Sequence, residues 1–265
     1  VVKRNATKVV GYTMKKELTT KQAMRYSRHI LLSDFDLDKQ ETLVNCSVLV
    51  IGVGGLGCAA SQYLTASGVG HLTLVDDDTV ELTNLQRQVL HTEKSVGANK
   101  VDSAQQALKQ INSEVKITTH CSRPTEKQLE ELIAKQDVVL DCTDNLESRN
   151  RINQICYRRS IPLVSGAAIR MEGQILCIDP RQQSACYACV SHFFGEQNLS
   201  CVESGVMSPL VGIIGSMQAL EAIKLVTHYG RPLCNRLHLY DAMQATWSEF
   251  KVPRQQDCQI CGEKL

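Results

Sequence analysis

Ser47-Val-Leu-Val-Ile-Gly52 is an unbroken apolar run that ends in glycine, and Gly54, Gly55 and Gly57 follow at once. Such a run fits a buried strand, and the glycines stop it before it can continue as helix. No Asp, Glu, Lys or Arg occurs between Glu41 and Asp76, so a membrane span has to be considered. A spanning helix needs about 20 predominantly apolar residues. The glycines from Gly52 to Gly57, with Ser61, Gln62 and His71 beyond them, exclude it. The segment predicts strand, glycine turn, helix.

The same alternation continues downstream. Residues 56–67 predict a helix, 71–76 a strand, and 97–112 a helix with Val101, Ala104, Leu108 and Ile111 at helical spacing. Strand, helix, strand, helix follow at 115–120, 125–135, 137–141 and 145–159, and two short amphipathic segments at 20–32 and 37–44 come before. Past Pro162 the rhythm changes. Strands at 162–169 and 173–178 have no helix between them, 180–204 is polar and irregular, and strands at 236–240 and 246–252 close the chain. Ser208-Pro209 reads as N-cap and first helical residue of a long helix to about His228, with Gly212 and Gly215 placed for close packing. The expected fold class is α/β: a Rossmann-like, doubly wound, mostly parallel sheet, extended by antiparallel strands in the C-terminal half.

Composition narrows the function. The 265 residues carry 29 Lys plus Arg against 28 Asp plus Glu, a net charge of +1. That balance speaks against nucleic acid as a partner and against a disordered acidic tail. Residues 1–13 show no secretory pattern and read as an extension before Met14, with residues 14–265 as one domain. Twelve cysteines without a signal segment point to the cytosol, where thiols stay reduced. No membrane association is expected.

Gly52-Val53-Gly54-Gly55-Leu56-Gly57 matches the dinucleotide fingerprint at Gly52, Gly54 and Gly57. Missing side chains let backbone N–H groups reach a phosphate at a helix N-terminus. Asp76 ends the next predicted strand 19 residues after Gly57, where a carboxylate can take ribose hydroxyls. Arg87 and Lys100 would add two cations, which suits a triphosphate better than a dinucleotide. Either one alone also reads as a solvated surface charge. Asp144, just beyond a predicted strand end, has two readings: a magnesium ligand, or the N-cap of the helix in a capping box with Glu147.

Cys186-Tyr-Ala-Cys189 and Cys258-Gln-Ile-Cys261 are two C-x-x-C pairs separated by 68 residues. Four thiolates in two such pairs suit a closed, structural zinc site. The alternative is a pair of redox motifs, disfavoured because neither pair is expected at the start of a helix, which would lower a thiol pKa. Cys46, Cys58, Cys121, Cys142, Cys156, Cys177 and Cys234 read as core residues, and Cys201 as an exposed thiol in the polar loop.

Taken together, Arg25-Tyr-Ser-Arg28, Gly52 to Gly57, Asn84-Leu-Gln-Arg-Gln88, Lys100, Asp141-Cys-Thr-Asp-Asn145 and both Cys pairs resemble the MoeB/ThiF family, bacterial relatives of ubiquitin-activating enzymes. Ser165-Gly-Ala-Ala-Ile-Arg-Met-Glu-Gly-Gln174 and Cys201-Val-Glu-Ser-Gly-Val-Met207 are similar to its molybdenum-cofactor branch. The resemblance implies an adenylyltransferase. It would use ATP to adenylate the C-terminal glycine carboxylate of MoaD, a ubiquitin-like sulfur carrier, and release pyrophosphate. It also implies a homodimer, with a nucleotide-binding half at about 45–160 and a carrier-binding and zinc half at about 161–265. By the same resemblance, Gly55, Thr83, Leu85 and Gln86 lie against the nucleotide. Asp76 takes the ribose, Asn84, Arg87 and Lys100 contact phosphates, and Asp144 with Asn145 supports magnesium. Arg28 reaches the neighbouring subunit's site. Three alternatives stand beside this reading: the same reaction on the thiamine carrier ThiS, an NAD dehydrogenase, and a non-catalytic zinc-stabilised scaffold.

Overall fold

A computed structural model describes residues 16–191 and 204–262. The proposed extension at 1–13 and Cys201 lie outside them. One eight-stranded sheet runs in the order β3-β2-β1-β4-β5-β6-β7-β8. The strands are β1 (Ser47–Ile51), β2 (His71–Val75), β3 (Lys116–His120), β4 (Val138–Asp141), β5 (Leu163–Ile169), β6 (Glu172–Ile178), β7 (Arg236–Asp241) and β8 (Thr246–Lys251). The first five are parallel and β5 to β8 pair antiparallel, as the sequence predicts.

Central β1 shows how the sheet is covered. Its residues alternate between faces, so Val48 and Val50 join one core and Leu49 and Ile51 the other. The first core holds α4 (Gly55–Ser67), α5 (Lys100–Ile111) and α9 (Ser208–Thr227). The second holds α6 (Glu126–Ile133), α7 (Leu146–Arg159) and α8 (Tyr187–Ser191). Helices α1 (Thr20–Arg25), α2 (Ser27–Ile30) and α3 (Asp36–Val44) precede the sheet. Helix α9 is long and apolar enough to cross a membrane, yet it packs on α4 and the sheet, with Leu210, Val211, Ile214 and Ala219 buried.

The first glycine turn is set by close approach. Gly52 has φ +90°, and a Cβ there would stand 2.7 Å from the carbonyl oxygen of Cys142. A Cβ at Gly57 would lie 1.9 Å from the carbonyl oxygen of Gly52, so α4 can follow β1 this tightly only with glycine.

Three sequence expectations need correction at helix starts. Asn145, not Asp144, caps α7: its Oδ1 accepts the Ser148 N–H at 2.9 Å. Met207 is the N-cap residue of α9, and the Ser208 hydroxyl instead donates to the Gln86 carbonyl. Cys186 immediately precedes α8 and Cys189 lies within it, so the first Cys pair does open a helix. Gly215 packs against α4, where a Cβ would meet the Leu56 carbonyl oxygen at 2.3 Å, while Gly212 faces open space.

Candidate active site and metal centre

The carboxyl ends of the parallel strands open into a cavity of about 570 Å³. This is the edge where open α/β sheets take ligands. Gly52, Gly54, Gly55, Asp76, Asn84, Arg87, Lys100, Asp144 and Asn145 all line it, so residues far apart in sequence meet in one cleft. Gly57 acts one step behind, in the packing that lets α4 start here. Thr83, Leu85 and Gln86 belong to the same turn but do not line the cavity. The Thr83 carbonyl accepts from Arg87 Nη1 at 3.2 Å, and the Gln86 carbonyl accepts from Ser208. Arg28 is exposed on α2 and does not line this chain's cleft.

Asp76 organises the middle of the site. Its Oδ2 accepts the Val53 N–H at 2.6 Å and its Oδ1 the Asp78 N–H at 2.9 Å. Burial pushes its carboxyl above the usual range, opposed by those two N–H groups and the Lys100 ammonium. Lys100 is not a solvated cation. It is 6% exposed, and its Nζ pairs with Asp78 Oδ2 at 2.7 Å. Sequence reading missed Asp78, because its role depends on the turn that folds Asp76-Asp77-Asp78 back toward α5.

His91 was also missed. It is buried behind the glycine turn, with Nδ1 2.9 Å from Ser103 Oγ on α5 and Nε2 3.3 Å from the Val53 carbonyl oxygen. It thereby links the turn to the helix that carries Lys100. Burial holds its pKa down, with a smaller contribution from the Lys100 charge. The neighbouring Cys58 thiol is pushed up to about 12 by burial, so it is no nucleophile.

The turn carrying Asp144 is held from beneath. Asp141, 1% exposed, accepts from the Thr143 N–H at 3.0 Å, the Thr143 hydroxyl at 2.6 Å and the Ser165 hydroxyl at 2.9 Å. Arg149, also buried, faces Asp141 at 3.8 Å and donates to the Thr143 and Gly166 carbonyls. From α9, Gln218 donates to the Asp141 carbonyl at 2.8 Å. Because Asn145 provides the cap, the exposed Asp144 carboxylate is left facing the cleft.

A second cavity, of about 500 Å³, adjoins the first. The two share Leu56, Thr143, Asp144 and Ala168. Tyr187, Tyr240 and Phe250 give the second one aromatic walls. A nucleotide in one and an extended peptide in the other would meet beside Asp144.

The four cysteines converge in the second core, beside α8. The sulfurs of Cys186, Cys189, Cys258 and Cys261 lie within 4.8 Å of one another, with Cys186–Cys258 at 3.7 Å and Cys189–Cys261 at 3.3 Å. Four ligands at about 2.3 Å around a tetrahedral ion stand about 3.8 Å apart, so the set fits zinc. A redox reading would pair sulfurs within each C-x-x-C, whereas here all four share one centre. Among the described residues every cysteine is free. Cys46, Cys58, Cys142, Cys156 and Cys177 are core residues as expected, but Cys121 is exposed, because it lies beyond the end of β3.

A model of the ThiF family matches residues 26–260. The chain belongs to the ThiF family. The molybdopterin-synthase adenylyltransferase of Salmonella typhimurium is 51% identical over 93% of this chain and 99% of its own length. The ThiS adenylyltransferase of Escherichia coli is 41% identical over 90% of this chain and 95% of its own. Among solved structures, Escherichia coli MccB with succinimide superposes with a TM-score of 0.79 at 25% identity, covering 90% of this chain and 74% of that one. That superposition agrees with the α/β expectation from the sequence.

Proposed function

We propose that this protein uses ATP to adenylate the C-terminal glycine carboxylate of a small ubiquitin-like sulfur carrier of the MoaD type, releasing pyrophosphate. One observation carries the reading: a cleft with a glycine turn, Arg87 and Lys100 joins a peptide-sized groove at an uncapped Asp144. Relatives named as adenylyltransferases of sulfur-carrier pathways support it.

The chemistry follows from charge. A carboxylate attacking the α-phosphate brings one anion onto another, so the barrier is dominated by repulsion. The N-terminus of α4 and the cations of Arg87 and Lys100 spread that charge over fixed donors. Asp76 orients the ribose, and the Asp141–Arg149 pair fixes the turn that presents Asp144. Magnesium, held by Asp144, would neutralise phosphate charge. The carrier's tail would lie in the groove walled by Tyr187, Tyr240 and Phe250. Zinc on the four cysteines would tie α8 to the C-terminal segment, with no open ligand position for catalysis.

Arg28, exposed and outside the lining of its own cleft, would complete the partner's site in a homodimer. The protein would work in the cytosol, where its free thiols stay reduced. The test is exchange of labelled pyrophosphate into ATP, run side by side with MoaD-type and ThiS-type carriers. Exchange with the first and little with the second supports the assignment. The reverse makes the protein a thiamine-pathway enzyme, and NAD binding without exchange removes the adenylation reading.

A further inference from the structure

Asn153 sits in the interior of α7 and is wholly buried. Asparagine is a mediocre helix former, and a buried amide needs partners for both of its ends. One end has its partner: Oδ1 accepts the Tyr187 N–H at 3.0 Å, across from α7 to the start of α8. A backbone N–H can only donate, so this bond fixes which way the amide points. The Nδ2 end is buried and makes no ordinary hydrogen bond among the described residues. Asn153 lines neither the cleft nor the groove beside it, so the chemistry described above gives it no task.

The zinc centre lies where the amide points. Arg149, Asn153 and Tyr157 stand four residues apart on one face of α7. That face looks onto residues 184–187. The Arg149 guanidinium stands 6.0 Å over the Tyr187 ring, and the Tyr157 hydroxyl donates to the Ser184 carbonyl at 3.3 Å. Cys186 immediately precedes Tyr187, and a hydrogen bond from Asn153 favours its thiolate. A neutral thiol is a weak acceptor, whereas an ionised sulfur takes a charge-assisted bond. Four thiolates carry more negative charge than one divalent zinc balances, and Cys186, Cys189 and Cys261 are buried. Charge held out of water in this way calls for donors around it. Backbone N–H groups supply some: that of Cys189 to Cys186, and those of Ile260 and Cys261 to Cys258.

We propose that Asn153 is an outer hydrogen-bond donor of the zinc centre, its Nδ2–H directed at the Cys186 sulfur while its Oδ1 holds the Tyr187 backbone. It is a positioning residue, since it touches a ligand and not the metal. Outer partners of this kind orient metal ligands and tune their charge. The proposal rests on the zinc reading above and deepens it. One amide then ties the metal centre to the residue whose ring walls the groove.

The experiment uses the full chain loaded with one zinc or one cobalt ion. Asn153→Leu keeps the volume and removes the amide, and Asn153→Ala serves if thermal melting shows that Asn153→Leu does not fold. Competition with a chromogenic chelator should show zinc held about tenfold to a hundredfold more weakly, the range for loss of an outer partner of a metal ligand. Cobalt reads the sulfur itself. A hydrogen bond lowers the energy of the sulfur lone pair, so its loss should move the sulfur-to-cobalt charge-transfer band to longer wavelength. A helix merely loosened by the substitution would weaken metal binding and leave the band in place. A band at the wild-type wavelength therefore overturns the proposal, whatever happens to zinc affinity. So does zinc affinity equal to wild type. Wild-type protein that takes up neither metal would instead remove the zinc reading beneath it, and the proposal with it.

Discussion

Asp76, Arg87 and Lys100 each have a partner that explains their place in the cleft, and this makes single substitutions informative. Arg87 is held by the Thr83 carbonyl with its charge directed to the cavity. Arg87→Ala should cost about 3 kcal/mol of transition-state stabilisation, the scale for one preorganised donor, and lower kcat about a hundredfold or more in pyrophosphate exchange. An unchanged rate would place Arg87 outside the chemistry. His91 gives a pH test. Its folded pKa lies below the usual 6.5 because burial disfavours the charged imidazolium. The stability it contributes is then complete above pH 6.5 and is lost as pH falls through the folded value. Melting temperature should drop as pH falls below about 6.5 in the wild type. It should drop less steeply in His91→Gln, and equal slopes would assign the acid sensitivity to other groups.

The elements show which parts of this architecture were written locally. The strand, glycine turn and helix from Ser47 to Ser67 were legible because apolar run, missing side chains and helical spacing all lie in one segment. The four cysteines were legible because two C-x-x-C pairs have the spacing of one tetrahedral thiolate site. The cap of α7 was not. Asp144 and Asn145 are both good N-caps, and only the geometry of the Asp141 turn decides between them. Two predictions belong to this scale. Gly57→Ala places a Cβ against the Gly52 carbonyl and should cost about 2 kcal/mol or more in urea unfolding, as overpacking against backbone does. Wild-type stability in that variant would mean the turn is looser than described. Cys189→Ser should release zinc and lower the melting temperature before it changes ATP affinity, because a closed four-thiolate site contributes folding energy. Metal analysis and titration on the same preparation check this, and parallel loss of both would tie the zinc directly to the nucleotide site.

For the whole molecule, the exposed Arg28 on α2 has the largest consequence. If it serves a partner's cleft, Arg28→Ala and Asp144→Ala should each be inactive alone and complement one another when mixed. A mixed dimer holds one site with both lesions and one with neither. Equal amounts exchanging freely put about half the dimers in the mixed form, so activity should return to about a quarter of wild type. No recovery after demonstrated exchange would leave Arg28 without a role in trans. The central claim concerns the product, and intact-mass spectrometry of a MoaD-type carrier reads it most directly. After incubation with enzyme, ATP and magnesium, without a sulfur donor, the carrier should gain the mass of one AMP less water. A carrier lacking its terminal glycine should gain none. AMP found on the enzyme instead, or on the truncated carrier as readily as on the intact one, would contradict the account.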